Sequence, residues 1–61
     1  MTTDDAFRTA EFLAEEGRTD SDAVTHADMD QAADLAGAVR PTTSDDRHAV
    51  RLALDTIGDT R

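Results

Sequence analysis

Apolar side chains recur at intervals of three and four residues in three separate stretches of this chain. That spacing places them on one face of a helix and predicts amphipathic helices over about residues 4–16, 26–39 and 44–57. No stretch alternates with the period of two that a half-buried strand requires. The stripes are Ala6, Phe7, Ala10, Leu13 and Ala14; then Met29, Ala32, Leu35, Ala36 and Val39; and then Ala49, Val50, Ala53, Leu54 and Ile57.

Polar residues before each stretch supply helix start signals. Thr25 is followed three residues later by Asp28, and Thr43 is followed three residues later by Asp46. Each pair resembles a capping box in which aspartate replaces the usual glutamate or glutamine. The candidate N-caps are Thr2 or Thr3, Thr25 or Asp28, and Thr43.

Glycine and proline mark the expected helix ends. Gly17 is the stop signal for the first helix, and Gly58 is the stop signal for the third. The second helix must end by Arg40, because Pro41 disfavours helical geometry in the residue before it. Three amphipathic helices with short connections predict an all-α fold, a small three-helix bundle formed by one domain over residues 1–61.

The predicted core is thin for an independent domain. The 61-residue chain has only twelve large apolar side chains with which to form a core, and the absence of cysteine excludes disulfide bonds. Domains of this size often depend on cross-links, a metal or a partner chain. Phe12 and Leu52 lie outside the apolar stripes of their helices, and such placement can mark an interface. We therefore expect a non-enzymatic interaction or adaptor domain that self-associates or binds another protein, with Phe12 and Leu52 as contact residues.

The chain is strongly acidic, with a net charge of −8, and all six of its basic residues other than histidine are arginine. This composition resembles that of proteins from salt-in halophiles, whose carboxylate surfaces are screened by molar salt. It also resembles that of proteins encoded by very GC-rich genomes. Two interpretations of the charge stay open, a high-salt habitat and a basic partner. Acidic rows such as Glu11 and Glu15 also allow mimicry of DNA.

The sequence gives no sign of a membrane or secretory segment. No apolar run approaches the roughly 18 residues that a membrane span needs. The N-terminal residues 1–5 are acidic, and no apolar stretch follows them, so they do not resemble a signal peptide. We expect a cytoplasmic protein, and its acidity argues against binding to anionic membranes.

Residue types that carry catalysis or bind cofactors are sparse or isolated. Ser21 and Ser44 occupy expected loop or cap positions, and the three glycines are scattered rather than grouped around a phosphate. His26 has Asp28 and Asp30 nearby, but the other histidine, His48, is distant in sequence, and a zinc site needs three or four converging ligands. We expect no enzymatic activity, no cofactor and no bound metal.

A DNA-binding transcriptional regulator is the alternative function. Arg47, His48 and Arg51 lie opposite the apolar stripe of the third helix, where they could contact nucleic acid. The segment from Val24 to Ile57 loosely resembles a helix-turn-helix unit, whose first helix would be carried by residues 24–37. The connection around Pro41 exceeds the usual three or four residues of that motif. Net negative charge also opposes phosphate binding.

Overall fold

A computed structural model describes residues 1–60 of the chain. It contains three helices: α1 (Thr3–Glu15), α2 (His26–Ala36) and α3 (Ser44–Thr60). The predicted all-α three-helix bundle is confirmed. Helix α1 packs extensively against both α3 and α2, whereas α2 and α3 touch only slightly. Helix α1 is therefore the central element, and the faces of α2 and α3 that point away from α1 lie at the protein surface.

Threonine caps start α1 and α2 as their sequences predict. Thr2 is the N-cap of α1, and Thr25 is the N-cap of α2. Asp28 N–H donates to Thr25 Oγ1 at 3.2 Å, and Thr25 N–H donates to Asp28 Oδ2 at 3.1 Å. Each box satisfies N–H groups that have no partner within the helix.

Helix α3 starts with a variant of the same arrangement. Asp46 N–H donates to Thr43 Oγ1 at 3.1 Å, as expected of a capping box. The Asp46 carboxylate accepts from the N–H of Thr42, at 3.2 Å, rather than from that of Thr43. The cap therefore also holds the last residues of the α2–α3 connection against the helix.

Glycines in the left-handed conformation end the first two helices. Gly17 has a φ of 83° and Gly37 a φ of 72°. After α2, Ala38 N–H donates to Ala33 O at 2.8 Å and Gly37 N–H donates to Asp34 O at 3.3 Å. This pair of bonds is a Schellman motif. It ends α2 three residues before the predicted end at residue 39, so Val39 lies outside the helix and is 57% exposed.

Helix α3 departs from the prediction in the opposite direction. It continues through Gly58, the expected stop signal, and reaches Thr60. Gly58 does not adopt a positive φ, and the Thr60 hydroxyl donates to Ile57 O at 2.9 Å. Gly58 therefore lies inside a helix and does not cap it.

Side chains from all three helices form one core cluster. Among the largest members, Leu13, Met29, Val50 and Leu54 have essentially no exposed surface. Leu35 was expected in the core stripe of α2, but it is 60% exposed, because α2 packs closely only against α1 and touches α3 only slightly. The buried cluster comprises Ala6, Ala10, Leu13, Ala14, Val24, Met29, Ala32, Val50, Ala53, Leu54 and Ile57.

The α1–α2 loop, residues 16–25, is attached to α3 by side-chain hydrogen bonds. Arg51 Nη1 donates to the carbonyl oxygens of Ser21 and Val24, the latter at 3.2 Å. One turn further along α3, Asp55 Oδ1 accepts from the Ser21 hydroxyl at 2.6 Å. These contacts bring the start of α2 beside the start of α3.

Candidate interaction surfaces

An apolar depression lies between α1 and α3. Its lining contains no ionisable side chain, and three of the seven lining residues are alanine. We name it the α1–α3 groove. Its lining residues are Thr3, Ala6, Phe7, Ala49, Leu52, Ala53 and Thr56.

Two large apolar side chains meet at the α1–α3 groove. Leu52, predicted as an interface residue, is 53% exposed and lines the groove. Phe7 lines it from α1 and is half-buried. The sequence places Phe7 on the apolar stripe of α1, and Phe7 does pack against the core cluster, but a stripe does not show that this ring also lies at the edge of the core.

The structure does not place Phe12 beside Leu52. Phe12 is absent from the groove lining, and its half-buried ring packs against the core cluster. The core therefore contacts a wider face of α1 than the apolar stripe defines, and that face includes Phe12. Leu52 is accompanied in the groove by Phe7, and the interface role of Phe12 stays a prediction.

Exposed carboxylates flank the α1–α3 groove. Asp59 is exposed and lies seven residues after Leu52, which places it on the same side of α3. On α1, the exposed Glu11 lies four residues after Phe7. The surface is thus an uncharged depression with an acidic rim.

A second concavity gathers basic side chains from α2 and α3. His26, Arg47, His48 and Arg51 line it together with Ser44 and Asp45. We name it the cationic cleft. The three residues predicted from the sequence as nucleic-acid contacts, Arg47, His48 and Arg51, do come together there. His26 was missed as their neighbour, since it lies 21 positions before Arg47 and only the folded loop brings it close.

The arginines of the cationic cleft are anchored differently. Arg51 uses Nη1 to hold the α1–α2 loop, which fixes its guanidinium in place. Arg47 has a buried Nε with no hydrogen-bond partner among residues 1–60. A buried donor without an acceptor is unfavourable by about 1–3 kcal/mol. Arg47 therefore keeps one donor, its buried Nε, that the fold does not use.

Four carboxyl groups outside the cleft are held in the ionised form. The N–H of Thr2 lowers the pKa of Asp5, and the N–H of Thr42 lowers the pKa of Asp46. The pKa of Asp28 is lowered by the Thr25 N–H and then by the Arg18 side chain. The pKa of Asp34 is lowered by Arg40, whose Nε donates to Asp34 Oδ1 at 2.8 Å. Each shift has a structural cause, since these groups cap helices or close a surface ion pair.

Residues 1–60 offer neither a metal-binding cluster nor a helix able to cross a membrane. These residues contain no group of three or more histidine, aspartate or glutamate side chains arranged to hold a metal ion. None of the three helices combines the length and apolar character that a membrane crossing requires.

No protein-family model matches the chain, and neither the curated proteins nor the solved structures include a significant match.

Proposed function

We propose that this protein is a non-enzymatic interaction domain that self-associates through the α1–α3 groove. The observation that carries the proposal is the 53% exposure of Leu52 at the edge of an uncharged depression. Phe7 adds a half-buried ring to the same surface. Burying apolar surface of this kind supplies about 25 cal/mol per Å².

The shape of the groove favours a second copy of the same chain as the partner. A two-fold dimer uses the same patch on both subunits, so the patch must contain both a projection and a depression. Leu52 is the projecting side chain, and the alanines at positions 6, 49 and 53 form a depression beside it. Leu52 of each copy could then insert between α1 and α3 of the other.

The acidic rim makes this association dependent on salt. Bringing two copies together through the groove also brings Asp59 and Glu11 of each copy near those of the other. Such repulsion acts over about 10 Å at 0.1 M salt but over only about 3 Å at 1 M. Apolar contacts persist or strengthen at high salt. We therefore expect dimerisation to be favoured in molar KCl.

Multi-angle light scattering at low and molar KCl tests the proposal. The wild-type protein should show dimers in molar KCl, and Leu52→Asp should remain monomeric there because a buried carboxylate would be desolvated. Leu35→Asp is the matched control: it changes an even more exposed leucine, 60% exposed, on a helix that does not line the groove. A wild-type monomer at every salt concentration, or equal loss of dimer in both variants, would overturn the proposal.

A further inference from the structure

We propose that the cationic cleft binds a small phosphate-bearing anion. Within a chain of net charge −8, both histidines and two of the six arginines line this one concavity. The two cleft arginines take part in no salt bridge among residues 1–60, whereas Arg18 and Arg40 are each paired with an aspartate. The charge of the cleft is therefore available to a ligand, and the site is independent of the self-association proposed above.

Two helix N-termini open at the cationic cleft. His26 is the first residue of α2, and Ser44 and Asp45 are the first two residues of α3. The first N–H groups of a helix have no partner within the helix, and the helix dipole adds positive potential there. The caps Thr25 and Thr43 satisfy the third N–H group of each helix, from Asp28 and Asp46, and leave the earlier ones free for an anion.

The guanidinium groups are suited to a tetrahedral oxyanion. Arginine carries five N–H donors in a rigid fork that matches phosphate. Arg51 uses only Nη1 in its hydrogen bonds to the loop, so that its other donors stay available. Arg47 lines the cleft and forms no salt bridge among residues 1–60, so no carboxylate of the fold neutralises its guanidinium.

The charge balance favours a small anion over a nucleic acid. Asp45 is the one carboxylate in the lining against two arginines, so the cleft has a net positive charge that suits a compact anion. A duplex would extend beyond the cleft and meet the acidic remainder of the surface. Because neutralisation of many phosphates supplies most non-specific nucleic-acid affinity, a single cationic cleft on a protein of charge −8 is poorly suited to DNA.

Pyrophosphate titration followed by NMR tests the proposal. His26 and His48 are the only histidines of the chain, and both line the cleft, so their ring signals report binding directly. At constant pH and ionic strength, millimolar pyrophosphate should shift both sets of ring signals with saturation. A titration with chloride alone supplies the background. Absence of a saturable shift would overturn the proposal.

Variants locate the site. Arg47→Gln should weaken pyrophosphate binding about tenfold, which corresponds to about 1.4 kcal/mol. Asp45→Asn should strengthen it, because it removes the opposing charge. Arg8→Gln, which changes an exposed arginine of α1 outside the cleft, should have no effect. Equal weakening by Arg8→Gln would contradict a localised site.

A parallel titration with a short DNA duplex separates the two sources of phosphate. Binding of pyrophosphate with little response to the duplex supports a small-anion site. Saturable binding of the duplex without a response to pyrophosphate would overturn the proposal in favour of the nucleic-acid alternative. Should Arg47→Gln fail to fold, as judged by circular dichroism, His48→Gln replaces it, because His48 is exposed and lines the same cleft.

Discussion

Arg18 Nη1 lies 2.6 Å from Oδ1 of Asp28, the same carboxylate that accepts the Thr25 N–H through Oδ2. Asp28 therefore has two functions in the fold. It completes the cap of α2, and it attaches the first residues of the α1–α2 loop to that helix. Both contacts favour the ionised carboxylate, and together they lower the pKa of Asp28.

Acid should destabilise the protein, with the decrease beginning near pH 4. Asp5, Asp28, Asp34 and Asp46 have pKa values lowered by folding. A carboxyl group with a lowered pKa stabilises the fold above its unfolded pKa of about 3.9, and that contribution is lost as pH falls through the folded pKa. Thermal unfolding followed by circular dichroism measures the effect. Molar KCl is used because protonation also relieves repulsion between the acidic side chains, and salt screens that opposing contribution.

Asp28→Asn isolates one of these groups. The amide oxygen can still accept the Thr25 N–H, but it does not titrate and does not pair with Arg18. We expect the variant to lose less stability than the wild type as the pH falls from about 4 through the lowered pKa of Asp28. Identical pH dependence of the two proteins would show that Asp28 contributes nothing to acid sensitivity.

Removing the cap hydroxyl of α2 should weaken the fold measurably. Thr25→Ala deletes the acceptor of the Asp28 N–H and should lower the free energy of unfolding by about 1 kcal/mol. Thr19→Ala, at an exposed position of the α1–α2 loop, should change it by no more than about 0.5 kcal/mol. Urea unfolding compares the two. A similar loss in both variants would contradict a specific capping role.

Two leucines with opposite burial test the core. Leu54 has no exposed surface, and Leu54→Ala should lower the free energy of unfolding by about 2–5 kcal/mol. That is comparable with the entire stability expected for a chain of this length, so a large unfolded fraction should result. Leu35→Ala, at a 60% exposed position, should be close to neutral. Circular dichroism with urea unfolding measures both, and a well-folded Leu54→Ala protein would contradict the described packing.

Two glycine substitutions should have opposite signs. Gly37 has a φ of 72°, and an added Cβ would meet nothing within 4 Å, so Gly37→Ala should destabilise the protein by about 1 kcal/mol through backbone strain alone. Gly58 lies inside α3, also with nothing within 4 Å of an added Cβ, and Gly58→Ala should stabilise the helix by about 0.5–1 kcal/mol. Urea unfolding checks both signs. A destabilising Gly58→Ala would indicate that α3 ends at Gly58 as the sequence predicted.

The starts of the helices and most of the core were predictable from the sequence. The hydrogen bonds of the Thr25–Asp28 box join residues three positions apart, so the local chain alone decides whether they form. The spacing of Leu13, Met29 and Leu54 within apolar stripes likewise reflects helix geometry. These features require no knowledge of how the helices are arranged.

The ends of the helices and both candidate surfaces depended on the tertiary structure. Gly37 stops a helix and Gly58 does not, although both are glycine: Gly37 adopts a positive φ, whereas α3 continues through Gly58. Leu35 is exposed because α2 packs closely only against α1. The contact of Arg51 with Val24 joins residues 27 positions apart and places His26 in the cationic cleft. Contacts between distant residues form only once the helices have packed, so local patterns could not reveal them.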